Sequence, residues 1–402
     1  MAKLLFDNFM KKIQQKGKSI RPEDLVSLFG LSQKASLKVV DDIKASYEPV
    51  NILIAGKTGI GKSTLINSVF REELATTGIG KPVTQHLQHY QKKHLPLRVY
   101  DTKGLELMTN SQEKVIEGII QKVKQLYVQD KSQHVHAIWY GINAQGRRIE
   151  DVELGFIRKL SELAPVIIVL TQYYGEVNAE FLRYLEEMNL PVYCVHPILA
   201  KDFELAEGQL ISHHGVEELV QLTEDILPEY AQQAFTIAQK VNIEMKVAQA
   251  QKIADKYVLA AASVSASPLP FADATALMSI QVVMLLHLTV SFGISVSQSL
   301  LLGLSSSLLG SQGAKMIGKY LSTSLGKLIP GGNVAAILIN SSIAKQITKG
   351  LAQTYIKVLE QVATLEKAGQ IITEEELLTM TKRAFTKKEE GTEEDEEPKA
   401  TP

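Results

Sequence analysis

The chain has 402 residues, a formal net charge of −1 at pH 7 and a single cysteine, Cys194. This length predicts two or three domains, and the balanced charge gives no indication of nucleic-acid binding. One cysteine excludes both an internal disulfide and a metal site built from cysteines. The N-terminal residues lack the uninterrupted apolar core of a secretory signal peptide.

Residues 1–47 are predicted to form an N-terminal helical segment rich in lysine. Leu4, Leu5, Phe9 and Ile13 recur near helical spacing, with lysines around them. Two interpretations remain open for this segment. A basic amphipathic helix can lie on an anionic membrane surface, or the helix can pack on the next domain with its lysines in water.

Residues 48–230 are predicted to form an α/β domain, because short apolar runs alternate with helical patterns. This alternation is typical of a mostly parallel sheet with helices on both faces, whose ligands bind at the carboxyl ends of the strands. The predicted strands are 50–55, 86–90, 97–100, 135–140, 165–171 and 191–195, and the predicted helices are 62–70, 112–128, 149–163, 178–189 and 215–227.

A phosphate-binding loop follows the first predicted strand. Residues 56–63 match G-x-x-x-x-G-K-[ST] in full, between an apolar run and an amphipathic helix. Backbone N–H groups of such a loop bind phosphate oxygens, a lysine reaches the β- and γ-phosphates, and a serine hydroxyl helps to hold Mg²⁺. We therefore predict a nucleoside triphosphate as ligand and Mg²⁺ as cofactor. The predicted nucleotide-binding residues of the loop are Gly56, Lys57, Thr58, Gly59, Ile60, Gly61, Lys62, Ser63 and Thr64.

Two further segments are predicted to contact the γ-phosphate and the metal. Asp101 and Gly104 lie in Asp-Thr-Lys-Gly directly after a predicted strand, where the carboxylate suits Mg²⁺ and the glycine N–H suits the γ-phosphate. Thr84, in the loop before that strand, is predicted to coordinate Mg²⁺ and sense the γ-phosphate, with Thr76 and Thr77 as alternatives. The predicted metal ligands are Ser63, Thr84 and Asp101, and the predicted catalytic residues are Lys62 and Thr84.

Residues 231–380 are predicted to form an all-α domain that is unusually apolar. Between Lys256 and Lys315 the only formally charged side chain is Asp273. Phe271–Val296 is long enough to cross a bilayer core, which needs about 20 apolar residues. Two later apolar runs are too short to do so. Residues 381–402 end in a block of acidic side chains and are predicted to be a disordered tail.

These motifs together resemble the Era-like and HSR1-related P-loop GTPases over residues 48–230. The resemblance implies a P-loop GTPase domain that binds GTP with Mg²⁺ and hydrolyses it, with a homodimer partner or an activating protein as stimulator. Residues 257–345 resemble a bacterial membrane-associated domain of unknown function that is fused to such GTPases. This second resemblance implies a location at the cytoplasmic face of a membrane.

The base-binding motif departs from the family. Guanine is selected there by Asn/Thr-Lys-x-Asp, where this chain has Thr171, Gln172, Tyr173 and Tyr174. Thr171 and Gln172 are kept as predicted nucleotide-binding residues, but no side chain of the motif supplies the carboxylate that guanine requires. Each donor left unpaired costs about 1–3 kcal/mol, so base selectivity is predicted to be weak and the choice between GTP and ATP stays open.

Two other positions also differ from the family pattern. Leu105 stands where the family has a water-positioning glutamine, which predicts slow hydrolysis. The last base-contacting loop is expected near His196 and Pro197, with His196 as a loop residue and not a catalyst.

Three functions follow from these observations. The leading one is a slow GTPase switch at a membrane. The second is a soluble nucleotide-dependent assembly or signalling module, whose apolar helices form a buried bundle or a homodimer interface. The third is an ATP-using enzyme.

Overall fold

The computed structural model describes residues 33–70, 81–84, 87–92, 94–102, 112–205, 208–265, 272–309 and 333–390. These residues belong to two compact units. The first unit is Lys44–Asn242, and the second combines the described residues of Met1–Ile43 with those of Ile243–Pro402. Gln33–Ala45 is helix α1, whereas the lysine-rich residues 1–32 lie outside the described part of the chain.

Apart from a two-stranded sheet of Phe203–Glu204 and Leu210–Ile211, the first unit is built on one seven-stranded sheet. Its strands are β1 Val50–Ala55, β2 Lys81–Thr84, β3 Leu87–Gln91, β4 Leu97–Thr102, β5 Ala137–Asn143, β6 Val166–Thr171 and β7 Cys194–Pro197. They are ordered β2-β3-β4-β1-β5-β6-β7. Strands β4, β1, β5, β6 and β7 each pair in parallel with the next. Strand β3 pairs antiparallel with both β2 and β4. The predicted mostly parallel sheet is confirmed.

Six helices accompany this sheet among the described residues. Each helix that packs on it has one apolar face, as in α3, where Ile116, Ile119, Ile120 and Val123 are buried at helical spacing. Every residue of β1 and β6 is buried, as expected for parallel strands covered on both faces. The helices are α2 Lys62–Val69, α3 Gln112–Gln129, α4 Asp151–Ser161, α5 Asn178–Glu187, α6 Val216–Ile226 and α7 Glu229–Ala238.

The first unit extends past residue 230, where the sequence placed its boundary. Ala231, Ala234 and Phe235 of α7 are buried, and Phe235 packs edge-on against Phe70 at 6.2 Å between ring centroids. Phe70 also stacks on Trp139 of β5 at 5.7 Å. Helix α7 therefore contributes to the same core as the sheet.

Two local predictions need correction. Thr84 ends strand β2 and pairs with Leu87 of β3, so it lies in a strand and not in a loop. His196 lies in β7, paired with Val169, and its Nε2 lies 2.7 Å from the carbonyl oxygen of Gly215. In both cases the strand depends on a partner strand across the sheet, which the short and polar local sequence does not indicate.

The described residues of the second unit are all helical, as predicted for the C-terminal domain. Helix α8 packs on α9 and α11, and α12 packs on α10 and α11. The helices are α8 Ile243–Ser265, α9 Ala272–Ser291, α10 Gln298–Leu309, α11 Asn333–Lys367 and α12 Glu374–Glu390.

Helix α9 occupies most of Phe271–Val296, the stretch predicted to be long enough to cross a bilayer. No helix among the described residues combines the length and the apolar character that a membrane crossing requires. The polar groups of α9 bond to neighbouring helices instead. Gln281 donates to Thr348 at 3.2 Å, and Thr289 lies 2.7 Å from the hydroxyl of Tyr355. The residues of this nearly uncharged stretch thus pack against other helices of the bundle.

The prediction of a disordered tail from residue 381 is wrong for residues 381–390. Helix α12 continues to Glu390, because Thr381 and Phe385 are buried and anchor its second half. Phe385 packs near Tyr355 of α11 at 6.5 Å between ring centroids. Residues 391–402 lie outside the described part of the chain.

Candidate nucleotide site

The phosphate loop joins β1 to α2 and lies against β5. Gly56 has a φ of 135°, a backbone conformation that side chains disfavour. A Cβ atom at Gly56 would lie 2.5 Å from the carbonyl oxygen of Gly141 in β5, and a Cβ atom at Gly141 would collide with Cδ1 of Ile60. The close approach of the loop to β5 therefore requires glycine at position 56, whereas a side chain at position 141 would force Ile60 to move.

Gly141→Ala is expected to destabilise the first unit by about 2 kcal/mol, because an added methyl overpacks the contact with Ile60. Ile60→Val removes the colliding Cδ1 and is expected to restore most of the loss in the double variant. Urea unfolding followed by the fluorescence of Trp139, the single tryptophan of the chain, measures both effects. The matched control is Gly155→Ala, where a Cβ atom meets nothing within 4 Å. Equal stability of the two alanine variants would contradict this account.

Helix α2 presents its N-terminus at the end of the phosphate loop. Gly61 caps it with φ 94° and, as a glycine, offers no side chain to bond the first-turn N–H groups. Ser63 is exposed in this turn, whereas Lys62 and Thr64 are half-buried. Uncapped N–H groups and the positive end of the helix dipole form an anion-binding site. The loop and the helix together suit a phosphate chain.

Lys62 is bonded to the phosphate loop itself. Its Nζ donates to the carbonyl oxygens of Gly56 at 2.9 Å and Lys57 at 3.0 Å. Burial lowers the pKa of Lys62, and the negative charge of Asp101 partly opposes that shift. A partly desolvated ammonium group favours an anionic partner, because burial without opposite charge is costly. Lys62 is thus poised to bind phosphate.

Asp101 lies on the strand next to the phosphate loop. It is buried at 4% exposure, and β4 pairs it with Ile54 of β1, one residue before the strand ends. A carboxylate and a serine hydroxyl are oxygen ligands of the kind that Mg²⁺ prefers, and Mg²⁺ in such sites is held by few protein groups and by substrate phosphates. The carboxylate oxygens of Asp101 and the hydroxyl oxygen of Ser63 are ligands that suit this ion.

Not all predicted site residues can be placed. The backbone of Thr84 lies at the end of the edge strand β2, and its side chain is outside the described part of the structure. Gly104, Leu105, Thr76 and Thr77 also lie outside the described residues. Their predicted roles stay predictions.

Thr171 connects the predicted base-binding motif to the phosphate loop. Its hydroxyl donates to the carbonyl oxygen of Ile60 at 2.7 Å and lies 3.2 Å from that of Ile142. Gln172, the next residue, has φ 53°, in the left-handed region. The end of β6 is therefore bonded to the loop that binds phosphate, although the two segments are far apart in sequence.

Side-chain amides hold the base-binding motif from three directions. Gln145 donates through Nε2 to the carbonyl oxygens of Gln172 at 2.8 Å and Tyr174 at 3.2 Å. Asn178 donates to Tyr174 at 2.6 Å, and Asn143 lies 3.4 Å from Gln172 Oε1. Sequence reasoning missed Asn143, Gln145 and Gly141. All three lie in or directly after a buried strand, at the carboxyl edge where ligands of such sheets bind.

A second missed contact joins the phosphate loop to helix α4. Lys57 forms ion pairs with Glu150 at 2.9 Å and Glu153 at 2.8 Å. The glycine-dependent loop, the half-buried Lys62 and Asp101 on the adjacent strand define the first unit as a P-loop nucleoside-triphosphate-binding domain.

Comparisons with known proteins narrow this class. Residues 51–172 match the MMR_HSR1 family, described as 50S ribosome-binding GTPase. The chain is 27% identical over 189 residues to Cell division control protein 10 of Candida albicans, covering 40% of this chain and 53% of that protein. It is 25% identical over 227 residues to Septin-12 of Homo sapiens, covering 50% of this chain and 63% of that protein.

Solved structures include similar chains. A probable GTP-binding protein engB is 18% identical, over 44% of this chain and 98% of that chain, with a TM-score of 0.31. The chain spans 53% and 63% of the length of the two curated relatives above. The family match covers residues 51–172, less than half of the chain, and shows that this part of the first unit is similar to a P-loop GTPase domain.

Proposed function

We propose that this protein hydrolyses GTP slowly and acts as a nucleotide-dependent switch. The observation that carries the proposal is that Lys62, at the start of α2, feels the charge of Asp101, which lies on the strand paired in parallel with β1. A fixed cation for phosphate and a carboxylate for Mg²⁺ are the minimum that phosphoryl transfer requires.

The residues divide the work as follows. Lys62 binds the β- and γ-phosphates, and Ser63 and Asp101 hold Mg²⁺, which neutralises charge on the phosphates when bound. Thr84 and Gly104 respond to the γ-phosphate, so that the nucleotide state sets the state of the switch. Leu105 offers no hydrogen bond to an attacking water, which makes the intrinsic reaction slow.

For the second unit, the hydrogen bonds between helices fit the interpretation in which the apolar helices form a buried bundle. Tyr257 of α8 lies 2.9 Å from His287 of α9, in addition to the pairs that join α9 to α11. Polar groups paired within a bundle need neither lipid nor water to satisfy them. Association with the cytoplasmic face of a membrane, a homodimer and an activating protein stay predictions.

The base preference tests the guanine part of the proposal. Because the motif at Thr171 lacks a carboxylate, we expect GTP to bind the full chain more tightly than ATP by about tenfold, far below the 10⁴–10⁵ of a site that pairs every donor. Tyr174→Asp places a carboxylate at the fourth position of the motif and is expected to raise the preference for GTP. Competition against a fluorescent GTP analogue with Mg²⁺ present measures both.

The matched control is Tyr184→Asp. Tyr184 is an exposed tyrosine that stacks on Phe181, as Tyr174 stacks on Phe203 at 4.8 Å. A preference for ATP in the unaltered chain would support an ATP-using enzyme instead, and failure to bind either nucleotide would refute the proposed function.

A further inference from the structure

Lys57, the second residue of the phosphate loop, points its ammonium group at two carboxylates. Its Nζ lies 2.9 Å from Glu150 and 2.8 Å from Glu153, and the Glu153 side chain is only 9% exposed. Burial alone would lower the pKa of Lys57, but the hydrogen bonds and charges of Glu153 and Glu150 raise it above its ordinary value. The lysine is therefore held in its charged form.

Glu153 has a structural task that fixes its position. Its Oε2 accepts a hydrogen bond from the backbone N–H of Glu150 at 3.1 Å, which completes the capping box at the start of α4. Its Oε1 lies 3.5 Å from the hydroxyl of Tyr140 in β5. Burial and the charge of Glu153 raise the pKa of Tyr140. The carboxylate thus stays close to the phosphate loop.

The two carboxylates contact the side chain of Lys57, and the backbone of Lys57 is part of the phosphate loop. The carbonyl oxygen of Lys57 accepts a hydrogen bond from Nζ of Lys62. The backbone of Lys57 is therefore bonded to the phosphate-binding lysine, while its side chain is paired with the two carboxylates. A bound nucleoside triphosphate carries several negative charges. Carboxylates close to the phosphates repel such a ligand unless a cation neutralises them. The repulsion is larger inside the protein than in water, because the dielectric constant is lower there.

We propose that Lys57 is a positioning residue for nucleotide binding, which neutralises Glu150 and Glu153 and ties the phosphate loop to the first turn of α4. The inference rests on the proposed nucleotide binding. It deepens that function, because it assigns part of the affinity for the triphosphate to ion pairs made by the side chain of Lys57, a residue whose backbone belongs to the phosphate loop.

The test is a double-mutant cycle on the full chain, read as the Kd for a fluorescent GTP analogue with Mg²⁺. We expect Lys57→Met to raise the Kd about tenfold at low salt, because partly buried carboxylates are left unpaired beside the phosphates. Adding Glu153→Gln, which keeps the capping box, is expected to bring the Kd back to within about threefold of the unaltered chain. The increase in Kd caused by Lys57→Met alone is expected to be smaller at high salt, because salt screens the repulsion.

Controls separate this account from simple damage to the loop. Lys57→Arg keeps the charge and is expected to keep the affinity. Lys159→Met removes an exposed lysine 3.8 Å from Glu117 and is expected to leave the Kd unchanged. If the fluorescence of Trp139 shows that Lys57→Met is unfolded, Lys57→Gln replaces it with the same expectations.

Three outcomes overturn the inference. A Kd for Lys57→Met equal to that of the unaltered chain shows that the pair does not affect binding. A deficit that Glu153→Gln fails to relieve assigns the effect to lost loop structure or to direct phosphate contact. If the unaltered chain does not bind the analogue, both the proposed function and this inference fail. If the unaltered chain binds it and only the results for Lys57→Met differ from expectation, the inference alone fails.

Discussion

Lys62→Ala is expected to raise the Kd for GTP about 100-fold, because a charge-assisted hydrogen bond to phosphate is lost and each tenfold corresponds to 1.4 kcal/mol. In this structure the ammonium group donates to uncharged acceptors, the carbonyl oxygens of Gly56 and Lys57, which neutralise its charge less well than a phosphate does. Binding of a labelled GTP analogue to the full chain measures the change.

The same variant is expected to fold normally. Burial lowers the pKa of Lys62, which means that the folded protein disfavours this charge, so its removal does not reduce the free energy of unfolding. Trp139 lies in the core of the same unit, and its fluorescence during urea unfolding checks this point. Unchanged GTP affinity in a folded Lys62→Ala variant would refute the assignment of the phosphate loop.

The stability of the first unit is expected to decrease by about 2 kcal/mol between pH 7 and pH 5, through His136. Burial, aided by the charges of His134 and Arg98, lowers the pKa of His136 from 6.5 to about 4. The unfolded chain therefore binds more protons than the folded one as the pH falls from about 6.5 toward 4, and stability is lost across this window.

The hydrogen bonds of His136 explain why the folded protein resists its protonation. Nδ1 accepts from the backbone N–H of Asn51 at 2.9 Å, and Nε2 lies 3.1 Å from the hydroxyl of Tyr230. A doubly protonated ring cannot accept from Asn51.

Urea unfolding at several pH values, followed through Trp139, tests the dependence in the first unit alone. His136→Asn is expected to be less stable at pH 7 and to lose less stability on acidification. His213→Asn, at an exposed histidine beside Asp202, is expected to behave like the unaltered chain. A slope that His136→Asn leaves unchanged would assign the acid sensitivity to other groups.

Helix α9 illustrates where the sequence left a real ambiguity. Its residues are uncharged apart from Asp273, and continuous apolarity is common to a membrane helix and to the buried helix of a bundle. The difference lies in what the polar side chains bond to. Gln281, His287 and Thr289 have partners on α8 and α11, and this pairing follows from packing between helices far apart in the chain.

The sequence by itself determined the alternation of strands and helices, the phosphate loop at residues 56–63 and the place of Asp101. These are local patterns, because strand periodicity and loop chemistry are set by neighbouring residues. It also showed that the motif at Thr171 lacks a carboxylate, since that is a matter of residue identity.

Only the tertiary structure decided the contacts that surround those motifs. Three contacts join the phosphate loop to other segments: the ion pairs of Lys57 with Glu150 and Glu153 at the start of α4, the approach of Gly141 in β5 and the bond from Thr171 in β6 to Ile60. Parallel strands bring distant residues to one edge of the sheet. Which side chains then meet depends on register and packing, and these are properties of the whole fold.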